Sequence, residues 1–311
     1  GAFAGYSNFE NDTANTTINI GAGTVNGTTA VGAVGVNSNI TVDGDVFVNA
    51  GKSVYGSGIA TSAHGNIRGI PTEERTAADL GMNTVTINAG ASVDATNGRY
   101  GIVSKYGNSE ITVAGQVIGG SVAAIQTNMY YNPQSTKPYF PVGTTRVELQ
   151  SGFEISGDVI ANGPRTDDML VLGGAGDLSF DLSKIEITQV EAEPVVPDVN
   201  QPVAPAVPMV AAEGKQYFGF DVFEKVGAGT ATLTGLNADI NNFAVRGGTL
   251  QLDDVAAGAM AVDLIGGQLS GNGGIGNLIA RSGTTVAPGT GSAAATIAVA
   301  GNLELQNGST L

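Results

Sequence analysis

The 311-residue chain contains no cysteine, no tryptophan and one histidine, and aromatic residues make up only 6% of it. Without cysteine there are no disulfides and no thiolate nucleophile or thiolate metal site. One histidine and no cysteine leave too few ligands for a histidine-based zinc centre. Basic residues are also scarce: 13 Lys and Arg stand against 28 Asp and Glu, for a net charge of −15. Neutralising nucleic-acid phosphates or binding an anionic membrane surface needs clustered cations, so both classes of partner are disfavoured. The acidity reads as a solubility device that discourages edge pairing of a β-rich surface. No apolar run reaches the ~18 residues of a membrane helix, and no signal peptide is visible at the start of the chain.

What the chain does have is glycine, 47 residues of it, and a recurring phrase. It reads β-branched or aromatic, polar, apolar, any, Gly, polar, apolar. The copies are Ile40-Thr-Val-Asp-Gly-Asp-Val46, Ile111-Thr-Val-Ala-Gly-Gln-Val117, Phe153-Glu-Ile-Ser-Gly-Asp-Val159 and Ile297-Ala-Val-Ala-Gly-Asn-Leu303. Each copy is the end of one strand, a glycine bend and the start of another. Repetition at this scale means stacked units rather than one globular core. The intervals of 71 residues (40 to 111) and 42 residues (111 to 153) fit three and then two coils of ~21–24 residues.

Between the phrases lie alternating apolar pairs: Ile18/Ile20, Val46/Val48, Val85/Ile87, Val147/Leu149, Leu250/Leu252 and Leu303/Leu305. Period two places each pair on one strand face, which in a solenoid points into the core. Helical periodicity is nearly absent. The pairs Asn26-Gly27, Asn97-Gly98, Asn162-Gly163 and Asn307-Gly308 read as turns that need positive φ. A sandwich of hairpins uses the same turn signals, but recurrence at coil-sized intervals favours an all-β, right-handed parallel β-helix with loop insertions. The chain reads as one β-helix over 1–311.

Three segments break the rhythm. Residues 61–83 hold Ile70-Pro-Thr-Glu-Glu74 running through Leu80 to Gly81; proline near the start, acids in the first turn and glycine at the end spell a short helix. Residues 126–146 gather Tyr130, Tyr131, Tyr139 and Phe140 among Pro133, Pro138 and Pro141. Residues 188–216 hold five of the 11 prolines, which cannot continue a ladder; this stretch reads as an extended insert or as a linker between two domains.

From Phe223 the text becomes more specific. Phe223-Glu-Lys-Val-Gly-Ala-Gly-Thr-Ala-Thr-Leu-Thr-Gly235 is followed by Val245-Arg-Gly-Gly-Thr-Leu-Gln-Leu252, Leu269-Ser-Gly-Asn-Gly-Gly-Ile-Gly276 and Gly283-Thr-Thr-Val-Ala-Pro-Gly289. This series, over about residues 217–311, resembles the repeats of autotransporter (type V secretion) passenger domains. The resemblance implies a right-handed β-helix exported through a C-terminal outer-membrane β-barrel translocator in the full-length chain. Residues 1–311 hold no series of ~10-residue amphipathic barrel strands, so they read as passenger without barrel.

Candidate chemistry is thin. His64 lies in Ser62-Ala-His-Gly65 with no nucleophile elbow around it, and reads as a surface histidine rather than a triad base. Gly173-Gly-Ala-Gly-Asp-Leu-Ser-Phe-Asp181 is near a calcium nonapeptide but misses it by one residue and has no tandem copy. Gly271-Asn-Gly-Gly-Ile-Gly276 fits a dinucleotide fingerprint by letter but opens no helix. Asp43, Asp45, Asp158, Asp167, Asp168, Asp177 and Asp181 fall near turns, and no spacing among them selects a catalytic pair. No catalytic residue, cofactor or metal is expected.

The binding candidates are Tyr130, Tyr131, Tyr139 and Phe140, because tyrosine joins apolar area to a hydroxyl and proline preorganises the loop; the alternative is that these rings shield the solenoid flank. Arg68 and Arg75 belong to the loop at 61–83, a solvated helix or a second contact element. The expected function is a non-enzymatic adhesin or host-binding virulence factor, displayed on the bacterial surface or secreted. Its partner would be a host cell-surface receptor or a matrix protein. The alternatives are a released effector acting as ligand of a host receptor, with the same fold, and a glycan-active β-helix enzyme.

Overall fold

A computed structural model gives the architecture; it describes residues 2–4, 15–49, 56–63, 65, 76–128, 143–161, 167–187, 213–237, 239–290 and 293–311. Regular structure is almost entirely β, in parallel ladders. The fold is the expected parallel β-helix. The chain divides into two compact units, the first built from residues 1–147, 153–168 and 188–219, the second from 148–152, 169–187 and 220–311.

Unit 1 has three sheets. The first contains Ala2–Ala4, Thr29–Gly35, Ser57–Ala63, Tyr100–Ser104, Ala123–Thr127, Val159–Ala161 and Tyr217–Phe218. The second contains Thr16–Ile20, Ser38–Val42, Met82–Ile87 and Asn108–Val113. The third contains Thr24–Gly27, Asp45–Val48, Ser92–Asp94, Gln116–Ile118 and Glu154–Ser156. The chain visits the second, third and first sheets in turn, and each rung pairs in parallel with the next.

Strand pairing sets the coil length. Ile18 pairs with Ile40, Ile40 with Val85, and Val85 with Ile111. The steps are 22, 45 and 26 residues, so the interval from 40 to 111 holds two rungs, not the expected three; the middle rung is lengthened by an insertion. The first two phrases occupy one corner, between the second and third sheets. The third copy, at 153–159, turns the next corner, from the third sheet to the first. The phrase marks a rung corner, not one fixed corner.

Inward alternation fills the core. Ile18/Ile20, Val46/Val48, Val85/Ile87, Val147/Leu149 and Leu250/Leu252 are all buried, each side chain contributing ~1.5–3 kcal/mol. The sixth pair departs from expectation: Leu303 is 53% and Leu305 41% exposed. Of the Asn-Gly pairs, Asn307-Gly308 is a turn with Gly308 at φ +90, whereas Asn26-Gly27 is strand, paired with Phe47-Val48.

Unit 2 has two long sheets. One contains Met169–Leu172, Val222–Lys225, Asn242–Val245, Ala261–Leu264, Leu278–Ala280 and Leu303–Leu305. The other contains Leu178–Asp181, Thr230–Thr234, Thr249–Ala257, Gln268–Ile275 and Thr285–Thr290, with Ile297–Val299 also paired to Gln268–Ile275. Its rungs are compact: Glu224 pairs with Ala244, Ala244 with Asp263, Asp263 with Ile279 and Ile279 with Glu304.

Candidate functional site: the insert corner of unit 1

Inside the corner between the first and second sheets of unit 1 runs a ladder of small polar side chains: Ser38, Asn83, Ser109 and Thr145, all at most 2% exposed. Ser38 and Asn83 are register partners, as are Asn83 and Ser109. Burial demands partners for these groups, and the ladder provides them for all but the Asn83 Oδ1, which is buried without a hydrogen-bond partner. The Ser38 hydroxyl donates to the Ser62 carbonyl at 3.0 Å. The Asn83 amide donates to the carbonyls of Tyr106 and Asn108. Ser109 donates to the Ser104 hydroxyl at 2.7 Å, and the Thr127 and Thr145 hydroxyls meet at 2.7 Å.

On this stapled corner the connections alternate between short and long. They are residues 36–37, then 64–81, then 105–107, then 128–144. Two of the three expected inserts therefore leave the same corner, two rungs apart, which at ~4.8 Å per rung is about 10 Å. Both are narrower than the sequence suggested, because residues 61–63, 82–83, 126–127 and 145–146 are strand.

Each insert has a tight neck. At the first, the Gly65 amide donates to the Val36 carbonyl at 2.9 Å, and Gly65 and Gly81 approach so closely that a Cβ on Gly81 would lie 1.7 Å from the Val36 oxygen and 2.7 Å from the Gly65 nitrogen. Of the expected helix over 71–80, the described part is a single 3-10 turn, Ala77–Asp79. The Asp79 carboxylate accepts from the Thr76 amide and hydroxyl at 2.8 and 2.7 Å, and these bonds hold its pKa below the ordinary value. At the second neck, the Asn128 side-chain amide donates to the Gly143 carbonyl at 2.9 Å, and the Gly143 amide returns a bond to Asn128 Oδ1 at 3.2 Å. Asn128 adopts φ +50, a conformation asparagine tolerates better than most residues. Tyr130, Tyr131, Tyr139, Phe140, Arg68, Arg75 and His64 lie outside the described residues.

The remaining sequence candidates act as structural acceptors. Asp43 accepts from the Asn88 amide at 2.6 Å and Asp45 from Ser92 at 2.8 Å. Asp168, fully buried, accepts from the Thr145 amide at 2.6 Å. In the glycine-rich 173–181 stretch, Asp177 accepts from the Thr230 amide and Asp181 from the Ser183 amide. Residues 271–275 are strand, not a phosphate-binding turn before a helix. Among the described residues no group of three or more His, Asp or Glu is placed to hold a metal ion, and no helix is long and apolar enough to cross a membrane. Asp158 is half-buried, and burial raises its pKa.

Sequence reasoning passed over one residue of unit 2. Lys225 is 1% exposed, and its ammonium donates to the carbonyls of Val226, Gly227 and Gly247 at 2.6, 3.1 and 3.3 Å. Burial lowers its pKa, partly opposed by the charges of Glu148 and Asp177. A lysine two residues after Phe223, on the same period-two strand face, was the available signal. Lys225 ties two successive rungs together through backbone oxygens.

No family model, curated protein or solved structure matches the chain.

Proposed function

We propose that this chain is a binding scaffold, a β-helix that presents the inserts at 64–81 and 128–144 side by side to a partner outside the stack. The observation that carries this reading is the pair of clamped necks on one corner, two rungs apart. Loops on a rigid support are the usual carriers of recognition, and clamping both ends of an insert lowers the entropy lost when it binds. The aromatic residues Tyr130, Tyr131, Tyr139 and Phe140 and the cations Arg68 and Arg75 belong to these two inserts, the arginines beside Glu73, Glu74 and Asp79, so apolar anchors and charges of both signs would meet the same partner. The repeat resemblance over about residues 217–311 supports an autotransporter passenger, displayed on the bacterial surface or released, acting as an adhesin toward a host receptor or matrix protein. A released effector would use the same corner. The test replaces residues 129–142 by a short Gly-Ser link, keeping Asn128 and Gly143, and measures binding of immobilised protein to cultured cells and matrix proteins. The trimmed chain should lose binding while keeping its stability; undiminished binding sinks the proposal.

A further inference from the structure

Between the two insert necks of unit 1 lies one short connection, residues 105–107. Strand order fixes its place. Tyr100–Ser104 sits between Ser57–Ala63 and Ala123–Thr127 in the first sheet, and Asn108–Val113 follows Met82–Ile87 in the second. The backbone of the connection is tied to both necks. The Lys105 amide donates to the Thr61 carbonyl at 2.9 Å, the Ala63 amide to the Tyr106 carbonyl at 3.1 Å and the Asn108 amide to the Gly81 carbonyl at 2.8 Å. On the other side the Thr144 amide donates to Asn108 Oδ1 at 2.9 Å, and a Cβ on Gly143 would lie 2.2 Å from the Gly107 oxygen. Residues 105–107 are thus a fixed floor, one rung of about 4.8 Å from each neck.

This floor carries a cation that the fold leaves uncompensated. Arg146 has Glu110 at 3.3 Å, Arg246 has Glu224 at 2.8 Å and Arg281 has Asp263 at 2.8 Å. The Lys225 ammonium has its three carbonyls. Lys105 is half-buried, yet among the described residues no acid and no carbonyl meets its ammonium. Burial lowers its pKa, with no neighbouring charge to oppose the shift. Withdrawing a charge from water without a partner costs stability. A group kept at that cost on a fixed support is a candidate for recognition.

We propose that Lys105 is the charge-reading residue of the insert corner, and that the partner is a protein that sets the carboxylate of one Asp or Glu on it. The inference rests on the reading of that corner as the binding element. One carboxylate fits better than a polyanion. The chain's net charge of −15 repels a sulfated glycan or a nucleic acid, whereas a single cation between two clamped necks satisfies a single acid. The partner's carboxylate supplies the ion pair that the fold withholds.

The test uses the whole chain, immobilised, with cultured cells and matrix proteins as probes. Native chain, Lys105→Met, Lys105→Arg and the chain with 129–142 replaced by the Gly-Ser link are compared. Lys105→Met should bind about tenfold more weakly or worse, and it should unfold in urea no earlier than the native chain, because it removes an unpaired charge. Lys105→Arg should keep most of the binding. Amidating the carboxylates of the matrix proteins should weaken the native chain by a similar factor and leave the residual binding of Lys105→Met unchanged. Native-level binding by Lys105→Met, with the trimmed chain inactive, overturns this inference and leaves the insert corner standing. Earlier unfolding of Lys105→Met, or binding lost on removal of sulfated glycans and kept after amidation, overturns it as well. Undiminished binding by the trimmed chain, or no binding by the native chain, overturns both readings.

Discussion

The neck at Asn128 gives the most informative perturbation. Asn128→Ala removes the reciprocal pair of bonds with Gly143, at 2.9 and 3.2 Å, and a longer contact to the Thr145 hydroxyl at 3.5 Å. Two net hydrogen bonds in a buried setting are worth about 1–3 kcal/mol together. Alanine must also hold φ +50, which costs a further 1–2 kcal/mol, roughly. The expected loss is about 2–5 kcal/mol. Asn128→Gly separates the contributions, since glycine loses the bonds but holds the backbone angle freely; it should be less destabilising than alanine by about 1 kcal/mol. Urea unfolding of the whole chain, followed by far-UV circular dichroism, reads both values, and proteolysis within 129–142 reads the neck directly. If Asn128→Ala unfolds within about 0.5 kcal/mol of the native chain and is cut no faster, the clamp is not what positions the insert.

Three further outcomes follow from the same geometry. Gly81→Ala, whose Cβ would lie 1.7 Å from the Val36 oxygen, should force the first neck apart and cost about 1–3 kcal/mol or more in the same unfolding assay. Lys225→Met leaves three carbonyls without their donor and should cost about 2–4 kcal/mol at neutral pH. Burial lowers the Lys225 pKa in the fold, so the unfolded chain holds more protons between the folded and ordinary values. The native chain should therefore gain stability relative to Lys225→Met as pH rises through that interval. Asp158→Asn should stabilise unit 1 at neutral pH, because burial raises the Asp158 pKa and so opposes its charge; the gain should shrink as pH falls through the raised folded pKa and vanish below the ordinary 3.8.

The fold was legible because a solenoid repeats its core in sequence: period-two pairs such as Val85/Ile87 and glycine corners such as Gly44 and Gly115 recur at coil intervals. Coil count was less legible, because the 40-to-111 interval contains the 64–81 insertion and its length alone does not separate two long rungs from three short ones. Strands of the first sheet also escaped the alternation rule. Tyr100–Ser104 and Val159–Ala161 are buried at every residue, and Tyr100, Val103, Ile160 and Phe218 form a separate apolar cluster, so no period-two pattern marks them. The insert sites were visible as breaks in rhythm. Their shared corner was not, since it depends on which sheet each flanking strand joins. Lys225 escaped because a single lysine in a strand reads as solvent-facing until register places its ammonium among backbone oxygens.

The most direct test of the insert corner as the binding element changes Tyr130, Tyr131, Tyr139 and Phe140 together to serine and leaves every described neck residue in place. Binding of immobilised protein to cells and matrix proteins is then compared with that of the native chain at matched stability. The expected result is that the native chain binds and the serine variant loses that binding. Equal binding by both chains would place recognition elsewhere on the molecule and contradict the assignment.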